Sequence, residues 1–411
     1  MGATLESIEI KNSKIPFIFE EDRNLPIISM QLIFKNSGSL TDSKNGLTKL
    51  TAKLLNEGTK TDGSVGFATK LENRAINLSI HAGYETFVLE LNSLQAQFDY
   101  AVELLKELLN DPNYTEATLN KVKTQTLGEL KRKESDFDYI SMLKMKEMLF
   151  PNTPLAKPSL GTVKSVKSIT LDDIKRHVLT HLGLENAIVV MGGDINRTKA
   201  LKITKSILDT LPHVKPQKIP TMKPIAKEQI KITKVNTKQA YIYFGSPLKI
   251  SFDSQKLYLS KVASFILGSS GFGSRLMEEI RVKKGLAYSA YSRFNINKSH
   301  SYFWGYLQTK VATQNEAINS VKEIVEKFIN KGVTQEELKS AKQFLLGSEP
   351  LRNETLSQRL NRAFQEYYHN RPLGATLKDL ERIKNLKLDE LNNFILEHNE
   401  ISKLSFSAVT K

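Results

Sequence analysis

Residues 211–229, LPHVKPQKIPTMKPIAKEQ, decide how the chain is organised. Pro212, Pro216, Pro220 and Pro224 recur every four residues. Proline lacks the N–H that a helix or a central strand needs, so this run reads as an extended linker. Working outward, the two flanks repeat one outline. Each opens with β-like runs: IPFIFEE (15–21) and ISMQLIFKNSG (28–38) on one side, QIKITKV (229–235) and AYIYFGS (240–246) on the other. An acidic turn and an amphipathic helix follow, TDSKNGLTKLTAKLLNEGT (41–59) against SFDSQKLYLSKVASFILGSS (251–270). Strand pairs come next, INLSIHAGYETFVLELNSL (76–94) and AYSAYSRFNINKSHSYFWGYLQT (287–309), then long helices such as FDYAVELLKELLND (98–111) and NEAINSVKEIVEKFINKG (315–332). Hairpin-like strand pairs mixed with helices in each half predict an α+β fold of two homologous domains, each an antiparallel sheet backed by helices. The expected boundaries are 1–211 for the first domain, 212–227 for the linker and 228–411 for the second.

Composition supports this reading. A chain of 411 residues exceeds one ordinary core. With 40% hydrophobic and 25% charged residues and no low-complexity tract, it has the profile of a globular protein. No stretch approaches the ~20 apolar residues of a membrane span. There is no cysteine, which removes disulfides, thiolate metal sites and a cysteine nucleophile together. The formal charge of +15 invites a nucleic-acid reading, but the lysines are mostly interspersed with acids. The densest run, Lys215 to Lys238, holds seven lysines and one glutamate without any nucleic-acid-binding pattern around it. A lysine-rich solvated surface is the simpler explanation, and no nucleic-acid partner is expected.

The chemistry concentrates on GLTKLTAKLLNEGT (46–59). Leu47, Leu50 and Leu54 fall on one helical stripe, with Lys49, Ala52, Lys53 and Asn56 on the opposite face. Periodicity alone describes a core helix with a solvated lysine face. The segment also resembles the inverted zinc motif H-x-x-E-H of the pitrilysin/insulinase/mitochondrial-processing-peptidase family, the inverzincins. In that family two histidines one turn apart bind zinc and the glutamate between them activates water. The resemblance places Lys49 and Lys53 at the histidine positions and Ala52 at the glutamate. It places the third ligand on Glu129 in LGELKRKESD (127–136), 76 positions after Lys53. A catalytic zinc needs about three protein ligands and an open position for water. One carboxylate and two ammonium groups do not supply them, so no metal and no catalytic residue is expected in this chain, and it is not expected to be an enzyme on its own.

The likeness spans about residues 15 to 405. It includes LFPNTPLAKPSLGTVKSVKSITLDDIKRH (149–177), NAIVVMGGDI (186–195), GVTQEELKSAKQFLLGS (332–348) and GSSGFGSRLMEEIRVKKGLAYSAYSRF (268–294). In the family the last segment carries an Arg and a Tyr seven residues apart, here Arg281 and Tyr288, which hold the substrate backbone or its developing oxyanion. A guanidinium and a phenol are strong donors for that task. The family's peptide-pairing edge strand falls on NLSIHAGYET (77–86), so Asn77, Leu78, Ser79 and Ile80 are the expected strand-addition residues. Two decoys carry less. His177 and His181 have an i, i+4 metal spacing but no acid between them, and the resemblance puts them on an outer helix far from the cleft. GSSGFG lacks the lysine and Ser/Thr of a phosphate loop and reads as a loop before a helix.

What the resemblance implies is a clam-shaped subunit. Relatives pair one subunit that keeps the zinc motif with one that has lost it but keeps the Arg/Tyr pair, and this chain resembles the second. The expected partner is a homologous zinc-bearing subunit, with zinc only there, and the substrate is an extended or unfolded peptide. In isolation a homodimer is an alternative assembly. A scaffold subunit or a stand-alone peptide-binding protein is the alternative. The N-terminus has no apolar signal region, and a periplasmic location after signal removal is expected, with the cytoplasm as the alternative. A Glu129 pair with Lys49 or Lys53 is expected to replace the metal.

Overall fold

A computed structural model describes residues 2–411. The chain folds as two α+β units, each a mixed sheet backed by helices. In the first unit the strands are β1 (Thr4–Ile10), β2 (Ser13–Glu21), β3 (Ile27–Lys35), β4 (Asn77–Ala82), β5 (Thr86–Leu94) and β6 (Ala187–Gly193), in the spatial order β1-β2-β6-β3-β5-β4. In the second they are β7 (Ile230–Lys234), β8 (Gln239–Pro247), β9 (Ala287–Ile296), β10 (Ser301–Lys310) and β11 (Ser405–Thr410), in the order β7-β11-β8-β10-β9. With β1 set aside, the two orders correspond strand for strand. The likeness of the two halves is therefore one of topology.

The sheets expected to be antiparallel are mixed. In each unit the last strand enters between the first two of the repeat: β6 lies parallel to β2 and antiparallel to β3, and β11 lies parallel to β7 and antiparallel to β8. A strand inserted between two antiparallel neighbours must run parallel to one of them. All seven residues of β6 (AIVVMGG) and all six of β11 (SFSAVT) are buried, as central strands demand.

The compact units also depart from the expected linear division. The first comprises 1–131, 158–220 and 352–368, and the second 132–157, 221–351 and 369–411. Thus the helix Phe137–Leu149 packs on β8 and β11, where the buried Ser141 hydroxyl donates to Ser407 O (2.8 Å) and accepts from Tyr243 N (3.3 Å). In return the helix Leu356–Tyr368 packs on β2 and β6. Gly192 makes room for it: a Cβ there would sit 3.1 Å from a Leu356 methyl and 2.7 Å from Glu20 O. Residues 212–229 carry no regular secondary structure.

In the first unit, Phe17, Phe34, Phe87, Met191 and their neighbours form the core between the sheet and the helices Phe98–Asn110 and Arg197–Leu208. The helix Leu47–Leu55 is wedged between two clusters. Ala52 and Leu55 pack on the sheet side, while Leu47, Leu50 and Leu54 meet Leu119, Val122, Val166 and Ile174. It is therefore buried on most sides, and the lysine face expected to be solvated is half-buried, with Lys49 and Lys53 both partly covered. Its start is held by Asp42, whose carboxylate accepts from Gly46 N (3.0 Å), Thr48 N (2.8 Å) and the Thr48 hydroxyl (2.5 Å). A side-chain oxygen placed on free N–H groups in this way stabilises a helix terminus.

Candidate functional site

Lys49 and Lys53 lie one turn apart on the helix Leu47–Leu55, and Glu129 lies on the helix Glu116–Lys133. Lys53 Nζ donates to Glu129 Oε2 at 2.7 Å and to Thr126 Oγ1 at 3.2 Å, one turn before Glu129 on the same helix. Lys49 takes a different partner, donating to the carbonyl of Ala82 at the end of β4. Burial holds the Lys49 ammonium below its ordinary pKa, the positive charge of Lys53 pushes the same way, and Glu129 and Asp42 oppose them. Between the two lysines Ala52 is only 4% exposed and supplies no polar atom.

This donor set does not fit zinc. The one carboxylate is already engaged by an ammonium, and no imidazole stands beside it. Among the described residues no group of three or more His, Asp or Glu side chains is placed to hold a metal ion.

Each member of the Lys53–Glu129 pair remains about one-third exposed, between the buried and solvated limits. Water screens such a pair, so its coupling is expected to be about 1 kcal/mol, against 3–5 kcal/mol for breaking a fully buried pair. A double-mutant cycle with Lys53→Met and Glu129→Gln, read by urea unfolding, measures it. Coupling indistinguishable from zero would show that the ion pair links nothing.

The same helix reaches the outer edge of β4. Asn56 Nδ2 donates to Ile80 O (2.7 Å), and Ile80 N donates to Asn56 Oδ1 (2.9 Å). The side-chain amide thus mimics one residue of a neighbouring strand. With Lys49 on Ala82 O, both outward groups of Ile80 and the carbonyl of Ala82 already have partners. Outward groups recur every second residue, so Leu78 offers the next open N–H and C=O. Of the four residues expected to receive a peptide strand, Asn77 is exposed, Leu78 and Ser79 are half-buried, and Ile80 is buried and clasped. The sequence places Asn56 on the lysine face, but its pairing with a strand 24 positions away carries no local signal.

Arg281 and Tyr288 belong to the second unit. Arg281 lies in a widened, π-helical stretch, Met277–Lys283, and its guanidinium sits 4.8 Å over the ring of Phe272. Such widened turns are rare and recur at functional sites. Tyr288 is the second residue of β9 and is 76% exposed, and its hydroxyl has no hydrogen-bond partner among the described residues. The loop before them is built on glycine. Gly271 (φ +71°) and Gly273 (φ +86°) take left-handed conformations, and a Cβ on Gly268 would lie 2.2 Å from Ser292 Oγ. Gly268 and Ser269 close the preceding helical stretch Phe265–Ser269, and the loop proper, residues 270–274, precedes the helix bearing Arg281.

The histidine pair is not on a remote outer helix. His177 is buried, with Nε2 3.2 Å from Thr48 Oγ1 on the helix that carries the lysines. Its ring centroid is 4.5 Å from that of His181. Burial, and next the charge of His181, push His177 down to about 3, so it is a neutral packing imidazole at pH 7.

Comparison with known proteins identifies the family and the fold. The family profile described as "Insulinase (Peptidase family M16)" matches residues 18–163, and "Peptidase M16 inactive domain" matches residues 168–345. A Helicobacter pylori protein described as "Non-peptidase homolog YmxG" is 47% identical over 410 residues, covering 100% of this chain and 95% of that one. The mitochondrial-processing peptidase subunit beta of Saccharomyces cerevisiae is 21% identical over 182 residues, 44% of this chain and 39% of that one. Among solved structures, a peptidase M16 inactive domain from Pseudomonas fluorescens superposes with a TM-score of 0.91 at 25% identity, over 99% of this chain and 98% of that one. A protease from Helicobacter pylori gives 0.85 at 19% identity with both chains fully covered, which speaks to the fold alone. A two-unit fold, a matched pair of family profiles and a full-length relative agree: this chain belongs to the M16 peptidase family.

Proposed function

We propose that this chain is the non-catalytic, substrate-binding subunit of a two-chain zinc metallopeptidase, completing the peptide cleft of a homologous partner that carries H-x-x-E-H and the zinc. The observation that carries this reading is the Lys53–Glu129 ion pair at 2.7 Å, formed by the residues at two of the family's ligand positions. A chain arranged this way has no Lewis acid and no activated water of its own. The Arg281 and Tyr288 side chains have no hydrogen-bond partner among the described residues, which suits donors kept for a ligand. The name "non-peptidase homolog" of the 47% identical relative supports the loss of hydrolysis, and the name "subunit beta" of the yeast relative supports a paired assembly.

A second reading, a scaffold or stand-alone protein with no role in proteolysis, is favoured by the Asn56 clasp on Ile80, because it occupies part of the edge a peptide strand would use. Co-purification from native extract separates the two. An associated chain bearing H-x-x-E-H is the expected result. Recovery of the chain alone, or in an assembly without any such chain, would favour the second reading.

A further inference from the structure

The second unit holds a groove of about 520 Å³ that belongs to neither the Arg281/Tyr288 segment nor the lysine site. Three segments form it: Thr221–Pro224, the chain running from the end of β8 to Phe252, and the turn between β9 and β10. Met222 N donates to Ser299 O (2.7 Å), which fixes the first segment across the turn. The floor is apolar, with Met222, Leu248 and Ile250 each no more than 5% exposed and Pro224, Pro247 and Phe252 beside them.

The charged groups lining the groove are all cationic: Lys223, Lys249 and Lys298. Lys298 Nζ lies 5.5 Å over the Phe252 ring, which brings one ammonium above the apolar wall. Neither Lys223 nor Lys249 forms an ion pair among the described residues. The acids nearby are already engaged. Glu400 accepts from Lys249 N (2.7 Å) and pairs with His398, and Asp253 accepts from the Ser251 hydroxyl. His300 in the wall is paired with the Ser299 hydroxyl (2.8 Å) and the Asn297 amide (3.2 Å). Burial pushes that imidazole down to about 4, so it adds no charge at pH 7.

An apolar floor under a one-signed rim selects a ligand that is apolar along its length and anionic at one end. The volume falls in the range of about 300–1,000 Å³ typical of small-molecule sites, and is too small for a folded partner. We propose that this groove binds an aliphatic monocarboxylate, with the chain along Met222, Leu248, Ile250 and Phe252 and the carboxylate among Lys223, Lys249 and Lys298. The site goes beyond the peptidase-subunit reading and does not depend on it.

Isothermal titration of the purified full chain with decanoate tests the proposal, with octanoate, decanol and decyltrimethylammonium as comparisons. Decanoate is expected to bind about tenfold tighter than octanoate, since two more methylenes leave water. It is expected to bind at least about fivefold tighter than decanol at low salt, an advantage that shrinks as salt screens the exposed lysines. Lys249→Gln with Lys298→Gln should weaken decanoate and leave decanol unchanged; these residues are exposed or half-exposed, so the fold survives. Equal binding of decanoate and the cationic analogue would overturn the proposal. So would affinity unmoved by the double variant, or no heat at millimolar decanoate.

Discussion

Replacing Arg281 by alanine or Tyr288 by phenylalanine is expected to lower kcat of the proposed two-chain peptidase by about 10²–10³-fold, the cost of one lost oxyanion-type donor. The size of the effect follows from what these side chains do not do. Tyr288 is 76% exposed and its hydroxyl has no partner among the described residues, so removing that hydroxyl costs the fold almost nothing. Arg281 rests over Phe272, itself 70% exposed, and holds no buried acid. A large loss of turnover with intact assembly therefore reports a direct role at the substrate. A change confined to KM would mean that the pair holds the ground state and the transition state equally. Each variant is mixed with the zinc-bearing partner, cleavage of an unfolded peptide is followed, and gel filtration checks the complex. Wild-type turnover from both variants would remove the pair from the mechanism and move the scaffold reading ahead.

Arg359→Met is expected to destabilise the first unit by about 3 kcal/mol. Arg359 reaches from the helix Leu356–Tyr368 to the end of β2, where Nε donates to Glu20 at 2.6 Å and the other arm pairs with Asp22. The Glu20 side chain is 4% exposed, so losing the guanidinium leaves a charge stranded in a dry site. Part of the cost is relieved because Arg359 itself is one-quarter exposed, which keeps the estimate at the low end of the buried-pair range. Methionine keeps the apolar stem, so the loss isolates the charge. Amide hydrogen exchange across residues 356–368 is the readout, since that helix is joined to β2 through this contact. Protection there should fall by about 10²-fold, and adding Glu20→Gln should recover most of it. Unchanged protection would show that packing alone, through Leu356 and Leu360, seats the helix.

The strands of both halves were legible because their apolar, β-branched and aromatic runs are local signals, and the repeated outline was legible because the linker separates two copies of it. The mixed sheets were not. That β6 enters between β2 and β3 is a contact between residues some 170 positions apart, and no periodicity encodes it. The same limit hid the assignment of the helix Phe137–Leu149 to the second unit, since its buried stripe of Ser141, Met145, Met148 and Leu149 marks which face is covered but not which sheet covers it. At the site, it was the family resemblance, not periodicity, that set Lys49, Lys53 and Glu129 side by side, and the structure joins Lys53 to Glu129. Which lysine pairs was not legible, because both lie on one helical face; the geometry gives Glu129 to Lys53 and Ala82 O to Lys49. The solvated face failed for a simple reason. The stripe pattern identifies the face that must be buried, but it does not forbid the other face from being covered too.

Peptide hydrolysis by this chain alone, by the proposed zinc-bearing partner alone and by the two together, with zinc measured in each after dialysis, decides whether this chain is a non-catalytic half of a peptidase. The account predicts no tightly held zinc and no cleavage from this chain, weak or absent cleavage from the partner, and full activity only from the mixture. About one equivalent of zinc bound to this chain with cleavage by it alone, or full activity from the partner without it, would contradict the account.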